Sequence, residues 1–116
     1  KRGLAFFNPA DMDFGVRDSA FVPFFGVPAA TLLAPSRMAK SLNMRVQPLV
    51  AEMLPRGRGW RVHFLPAWEH WPTADAEADA AAMNRFVEEQ IRLYPAQYLW
   101  VHKRFKTRPP GAAPVY

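Results

Sequence analysis

Cysteine is absent from all 116 residues, which removes disulfides, thiolate zinc sites and thiol nucleophiles together. Long apolar runs are missing too: none approaches the roughly 18 residues that span a bilayer, so no transmembrane helix is expected within the chain. The composition of a disordered chain is also lacking, because 50% of the residues are hydrophobic, 14% aromatic and 22% charged. One domain, or part of one, follows from that length and composition. Acids are in short supply: ten Asp and Glu against fifteen Lys and Arg leave a net charge of +5. Such a balance suits phosphate, nucleic acid or an anionic membrane as a partner. The chain opens Lys1-Arg2-Gly3 without a methionine, from which a fragment or processed product is expected.

The apolar run Leu4-Ala5-Phe6-Phe7, stopped by Asn8-Pro9, reads as the end of a buried strand. The loop that follows, 8–18, gathers Asp11, Asp13 and Asp18 beside Gly15 and Arg17, and polar residues at a strand end are where α/β proteins place chemistry. Residues 21–28 carry two prolines among aromatics and read as a buried irregular segment. A helix is expected over 29–42, begun or broken at Pro35. Residues 44–54 and 60–68 flank Pro55-Arg56-Gly57-Arg58-Gly59, and Trp60, Val62 and Phe64 alternate with Arg61 and His63. That pattern predicts a β-hairpin with one face buried. From 75 to 94, Met83, Phe86, Val87, Ile91 and Tyr94 recur in steps of three and four, an amphipathic helix capped by Thr73 and stopped by Pro95.

His70 and Asp75 have the spacing of a base and its orienting acid, but Pro72 and the cap separate them, so no catalytic role is given to the pair. Asp11 and Asp13 can either hydrogen-bond within their loop or face a pocket, and they lack the glycine and glutamate of a calcium loop. No metal site is expected. His63 reads as an exposed face residue and His102 as a packed or interfacial one. From Tyr98 onward the chain has four Lys or Arg and no acid, interleaved with rings. This segment suits a membrane interface, single-stranded nucleic acid, or a solvated terminus over a few core aromatics.

Three phrases, Asp11-Met12-Asp13-Phe14-Gly15, then Phe21-Val22-Pro23-Phe24-Phe25-Gly26-Val27-Pro28-Ala29-Ala30-Thr31, and finally Gln97-Tyr98-Leu99-Trp100-Val101-His102-Lys103-Arg104-Phe105-Lys106-Thr107-Arg108-Pro109, stand in the order and spacing of a known family. Together they resemble the C-terminal part of the bacterial lipid A biosynthesis acyltransferases, over nearly the whole chain. The resemblance implies an α/β fold, the C-terminal portion of a glycerolipid-acyltransferase-like mixed sheet with flanking helices, with 1–108 belonging to that domain and 109–116 a flexible tail.

It implies transfer of a lauroyl or related acyl chain from acyl carrier protein to a Kdo-bearing lipid A precursor, at the cytoplasmic face of the bacterial inner membrane, without a cofactor or a nucleic-acid partner. The catalytic histidine motif and the membrane anchor of that family are expected upstream, so no catalytic residue is expected in this chain. Substrate-binding positions carried over are Asp11, Asp13, Phe14, Gly15, Phe21, Phe24, Phe25 and Gly26, with Pro48 from a further block at Gln47-Pro48. Trp100, Lys103, Arg104, Lys106 and Arg108 are expected at the membrane and its headgroups. The competing class is a non-catalytic module that binds a membrane surface or single-stranded nucleic acid through Tyr98, Trp100 and Phe105.

Overall fold

The computed structural model describes residues 3–9 and 11–116; Lys1 and Arg2 of the opening and Ala10 of the loop lie outside the described residues. The order of elements is β1 (Ser19–Phe24), β2 (Val27–Leu32), α1 (Ala34–Ser41), β3 (Leu49–Met53), β4 (Trp60–Phe64) and α2 (Ala76–Leu93). The α/β class is met, with the strands forming two separate antiparallel pairs, β1 with β2 and β3 with β4. The molecule is a slab of 43 × 42 × 20 Å. A body that thin cannot cover both faces of two sheets.

Residues 21–28 are not irregular: they form the turn and inner halves of a tight hairpin, in which Phe25 (φ 49°) and Gly26 (φ 76°) take the left-handed conformations of a two-residue turn. Pro23 stands directly opposite Pro28. Among the described residues each strand has one neighbour, so neither proline deprives the ladder of a donor it needs. Val22 and Phe24 on β1 and Ala29 and Ala30 on β2 are buried. The helix expected from residue 29 begins instead at Ala34, with Pro35 in its first turn, because 29–32 are drawn into β2. It ends where Asn43 takes φ 49° and the Met44 amide donates back to the Ala39 carbonyl at 2.8 Å.

The long helix is where the apolar periodicity predicts it, but the cap is Asp75, whose carboxylate accepts from the amides of Glu77 (2.9 Å) and Ala78 (3.1 Å). Thr73 stands two residues earlier, its hydroxyl accepting from the Asp75 amide. The alanines at the start of α2 allow close approach to the hairpin, where Ala80 packs with Val22 and Leu33. Further along, Ile91 meets Phe24 and Ala29, with Phe105 and Tyr98 closing that second cluster. Phe24 and Phe105 lie 5.8 Å apart, ring to ring.

Two expectations fail for one reason. Leu4, Phe6 and Phe7 form no strand and are exposed, and the β3–β4 hairpin turns Trp60, Val62 and Phe64 outward. A strand needs a neighbour to hydrogen-bond, and a sheet face needs a layer to lie on; neither is present among the described residues at these places. The inner face of the hairpin carries Glu52, bonded by Arg61 (3.2 Å) and by His63 (2.9 Å). Along 109–116, the Tyr116 hydroxyl accepts from the Phe105 amide and the Ala113 carbonyl accepts from Arg108.

Truncating Phe24, which is 1% exposed, to alanine is expected to cost about 3–5 kcal/mol in urea unfolding. The His63 hydrogen bond, aided by the charge of Arg61, holds the Glu52 carboxyl below its ordinary value of 4.5. A carboxyl depressed on folding stabilises above its unfolded pKa and ceases to do so as pH falls through the folded one. Wild type is therefore expected to exceed Glu52→Gln in urea midpoint at neutral pH, with the two converging below pH 4.5.

Candidate functional site

Between the apolar side of α2, the arm leading into β3 and the extended 6–9 segment lies an open groove of about 600 Å³. Met83, Phe86 and Val87 of α2 form its floor, Trp68 and Pro48 one wall and Phe6 another. The side chains that bring polarity to this apolar trough include Asp11, Gln90, Gln97 and Tyr98. Cavities of this size and lining take apolar ligands and orient them by a few polar groups.

Asp11 and Tyr98 belong together. Burial pushes the Tyr98 phenol well above its ordinary range, and the adjacent Asp11 carboxylate adds to the shift. The phenol therefore stays protonated at neutral pH, available as a hydrogen-bond donor. Its oxygen also lies 3.2 Å from Nε2 of His102, whose other nitrogen faces the Leu99 carbonyl.

Asp13 faces the other way. It is buried, one carboxylate oxygen accepting from the Gly15 amide (2.9 Å) and the other from the Thr107 amide (2.9 Å). Gly15 takes φ 85°, a conformation that a side chain would strain. Asp13 thus ties the 11–15 loop to the C-terminal segment and leaves Asp11 on the groove wall.

Of the substrate-binding positions carried over from the family phrases, the structure brings Asp11 and Pro48 to this groove. Asp13 is spent on backbone amides. Phe24 is core, Phe21 is half-buried in β1, and Phe14 is exposed. Gly15 is held beside Asp13, while Gly26 makes the hairpin turn. Phe25 packs on Phe24 and Trp100, its amide donating to Glu88 Oε1 at 2.8 Å and its ring covered by Arg92 at 5.0 Å.

The positions expected at headgroups divide similarly. Arg104 is corrected outright: it is 2% exposed, with one guanidinium nitrogen donating to the Ala30 carbonyl (2.7 Å) and another to Thr31 Oγ1 (2.8 Å) and Asn84 Oδ1 (3.4 Å). Its plane lies 5.2 Å from the Phe24 ring centre. Burial pulls its pKa below the ordinary arginine value, and the nearby Tyr98, Asp13 and Asp11 pull it back. Arg108 is half-buried and donates to the Pro28 carbonyl at 2.6 Å. Trp100, Lys103 and Lys106 remain exposed, with the Lys103 ammonium 5.8 Å from the Tyr116 ring centre. Tyr98 and Phe105 pack against the core, so among the described residues of this run Trp100 is the large ring left exposed beside Lys103 and Lys106.

Sequence reasoning missed a set of buried polar side chains on α2. Asp79 accepts from the Thr73 amide and from the Ser36 hydroxyl, joining α1 to the start of α2. Asn84 donates to the Pro23 carbonyl (2.9 Å) and Thr31 Oγ1 (3.1 Å), and Glu88 holds the hairpin turn. Their signal was their placement at 79, 84 and 88, along the flank of the apolar stripe. Among the described residues no three His, Cys, Asp or Glu side chains cluster in a way that could hold a metal ion.

The family model described as bacterial lipid A biosynthesis acyltransferase matches residues 1–107, and the chain belongs to that family. It is 40% identical over its full length to the lipid A biosynthesis lauroyltransferase of Escherichia coli (strain K12), of which it covers 38%. It is 36% identical, again over its full length, to the palmitoleoyltransferase of that organism, covering 38% of it. With the myristoyltransferase of that organism it shares 35% identity over 91% of the chain and 33% of the relative. The chain thus spans less than two-fifths of the length of these curated relatives.

Asp13→Ala frees the amides of Gly15 and Thr107 together. Hydrogen exchange at both is expected to quicken about tenfold or more, while amides in the middle of α2 keep their protection.

Proposed function

We propose that this chain forms the acceptor-side groove of an acyltransferase of lipid A biosynthesis, which passes a fatty acyl chain, lauroyl or similar, from acyl carrier protein to a Kdo-bearing lipid A precursor. The observation that carries this reading is the apolar groove of about 600 Å³, with Asp11 and Tyr98 on its wall, in a chain matched by the family from 1 to 107. Three relatives are named for the lauroyl, palmitoleoyl and myristoyl groups, all apolar chains. A groove floored by Met83, Phe86 and Val87 suits such a substrate.

The reaction joins an acceptor hydroxyl oxygen to the thioester carbon. The carbon–sulfur bond breaks, the hydroxyl proton is taken by a general base, and the released thiolate is protonated. The base is a histidine with an acid five residues on, supplied by sequence outside these 116 residues. Within this chain, Asp11 accepts hydrogen bonds from the polar, hydroxylated end of the acceptor while the groove takes its apolar part. The Tyr98 phenol stands with Asp11 on the lining of the groove. Asp13 and Thr107 keep the loop in place. Work of this kind is done at the cytoplasmic face of the bacterial inner membrane, where both the donor and a lipid acceptor are within reach.

In the protein at its natural length, Asp11→Asn is expected to lower kcat/KM for acyl transfer by about tenfold or more, since a charged acceptor is replaced by a neutral one. Its melting temperature should stay within a degree or two of wild type, because Asp11 is not part of the buried network. Unchanged turnover with a lowered melting temperature would show Asp11 to be a loop residue only.

A further inference from the structure

Tyr98 and His102 stand four residues apart, and the short helical turn Trp100–His102 sets their rings edge to face, 5.3 Å between centres and 75° between planes. Nε2 of His102 lies 3.2 Å from the Tyr98 phenol oxygen, and Nδ1 lies against the Leu99 carbonyl. A carbonyl oxygen can only accept, so the hydrogen of the neutral imidazole sits on Nδ1. Nε2 is then bare and takes the hydrogen of the phenol. A phenol has one hydrogen. Given to His102, it cannot also serve Asp11, and the groove meets the lone pairs of the Tyr98 oxygen together with the Asp11 carboxylate. The charged or titratable groups around the phenol are Asp11 of the loop, Arg104 of the same segment and Tyr116 of the C-terminal end, while Val87 and Ile91, packed in its cluster from α2, are apolar. Among the described residues no carboxylate lies within ion-pair distance of His102, and the neighbouring Lys103 turns its ammonium to the Tyr116 ring.

We propose that His102 is a positioning residue of the groove: by taking the phenol hydrogen it leaves the Tyr98 oxygen and the Asp11 carboxylate as a pair of acceptors, which selects a hydroxyl or an amide N–H of the acceptor lipid. Protonation reverses the arrangement. A second hydrogen, on Nε2, makes the imidazolium a donor to the phenol oxygen, and the phenol hydrogen then turns to Asp11, which loses its place for substrate. Neutral imidazole thus opens the wall to donors of the ligand and imidazolium closes it. His102 touches no reacting atom in this role and acts through Tyr98. The inference rests on the acyl-transfer reading for the identity of the ligand, whereas the direction of the hydrogen bonds rests on geometry alone.

The test uses the protein at its natural length in detergent micelles, with isotope-labelled histidine and nitrogen NMR, the His102 signals being those lost in His102→Gln. Above the midpoint of its titration the ring is expected in the Nδ1–H form, with Nε2 a bare nitrogen that accepts a hydrogen bond. His102→Phe keeps a ring against Tyr98 and removes the acceptor, so KM for the lipid acceptor should rise about fivefold while kcat changes by less than about twofold. His102→Gln, whose side-chain carbonyl reaches the position of Nε2, should hold KM within about twofold of wild type. In wild type KM should climb as pH falls through the midpoint that the spectra give for His102, and in both variants it should stay flat there. The proposal is overturned by a neutral ring that carries its hydrogen on Nε2, or by a His102→Phe protein whose KM is unchanged, whatever its kcat and melting temperature. If the spectra show the Nδ1–H form and the wild type transfers no acyl group, the acyl-transfer reading fails and the direction of the hydrogen bonds stands.

Discussion

A guanidinium in the middle of the protein sets the conditions for everything around it. Burying a cation is costly unless polar partners replace water, and among the described residues no carboxylate lies within ion-pair distance of Arg104. The replacement is made by a carbonyl of β2, the Thr31 hydroxyl, the Asn84 amide and the face of Phe24. Those four groups come from both strands of the first hairpin and from α2, so one side chain fixes three elements against one another. Its Nε alone finds no partner among the described residues. The segment that carries Arg104 also carries Thr107, which holds Asp13, and so the core cation and the loop at the groove are one mechanical unit.

What was legible in the sequence followed from periodicity. The 3.6-residue stripe of Met83, Val87 and Ile91 gave α2 almost to the residue, and alternation around Trp60 gave the second hairpin. The first hairpin was hidden because Pro23 and Pro28 argue against strands until it is seen that each faces the other on a two-stranded ribbon. The polar core was hidden for a different reason. Asp79, Asn84 and Glu88 look like the solvent side of an amphipathic helix, and only the arrival of Ser36, Thr31 and Phe25 from far along the chain turns them inward. Arg104 was misread because it stands in a run of cations, where composition favours a surface and says nothing of which member is buried.

The groove and the hairpin share a geometric cause. A slab 20 Å thick has room for a single layer of core, and here that layer lies between the first hairpin and α2. The second hairpin is carried beside this core rather than on top of it. Its inner side helps to form the groove while its outer side is left apolar and open. Of the nine positions carried from the family phrases, those in the first hairpin act by shaping the scaffold, and Asp11 with Pro48 come to the groove. Family phrases therefore mix residues that hold the scaffold with residues that face the trough, and only geometry separates them.

The proline pair has one further effect. Lacking N–H groups, Pro23 and Pro28 leave each rim of the β1–β2 ribbon one donor short at the same level along the strands. The carbonyls at that level are engaged as well, that of Pro23 by Asn84 and that of Pro28 by Arg108, so an incoming strand from another molecule would find neither donor nor free acceptor and the ladder cannot be prolonged there. A chain that exposes this much apolar side chain is open to sticking, and its most regular ribbon is blunted against growth into a fibre.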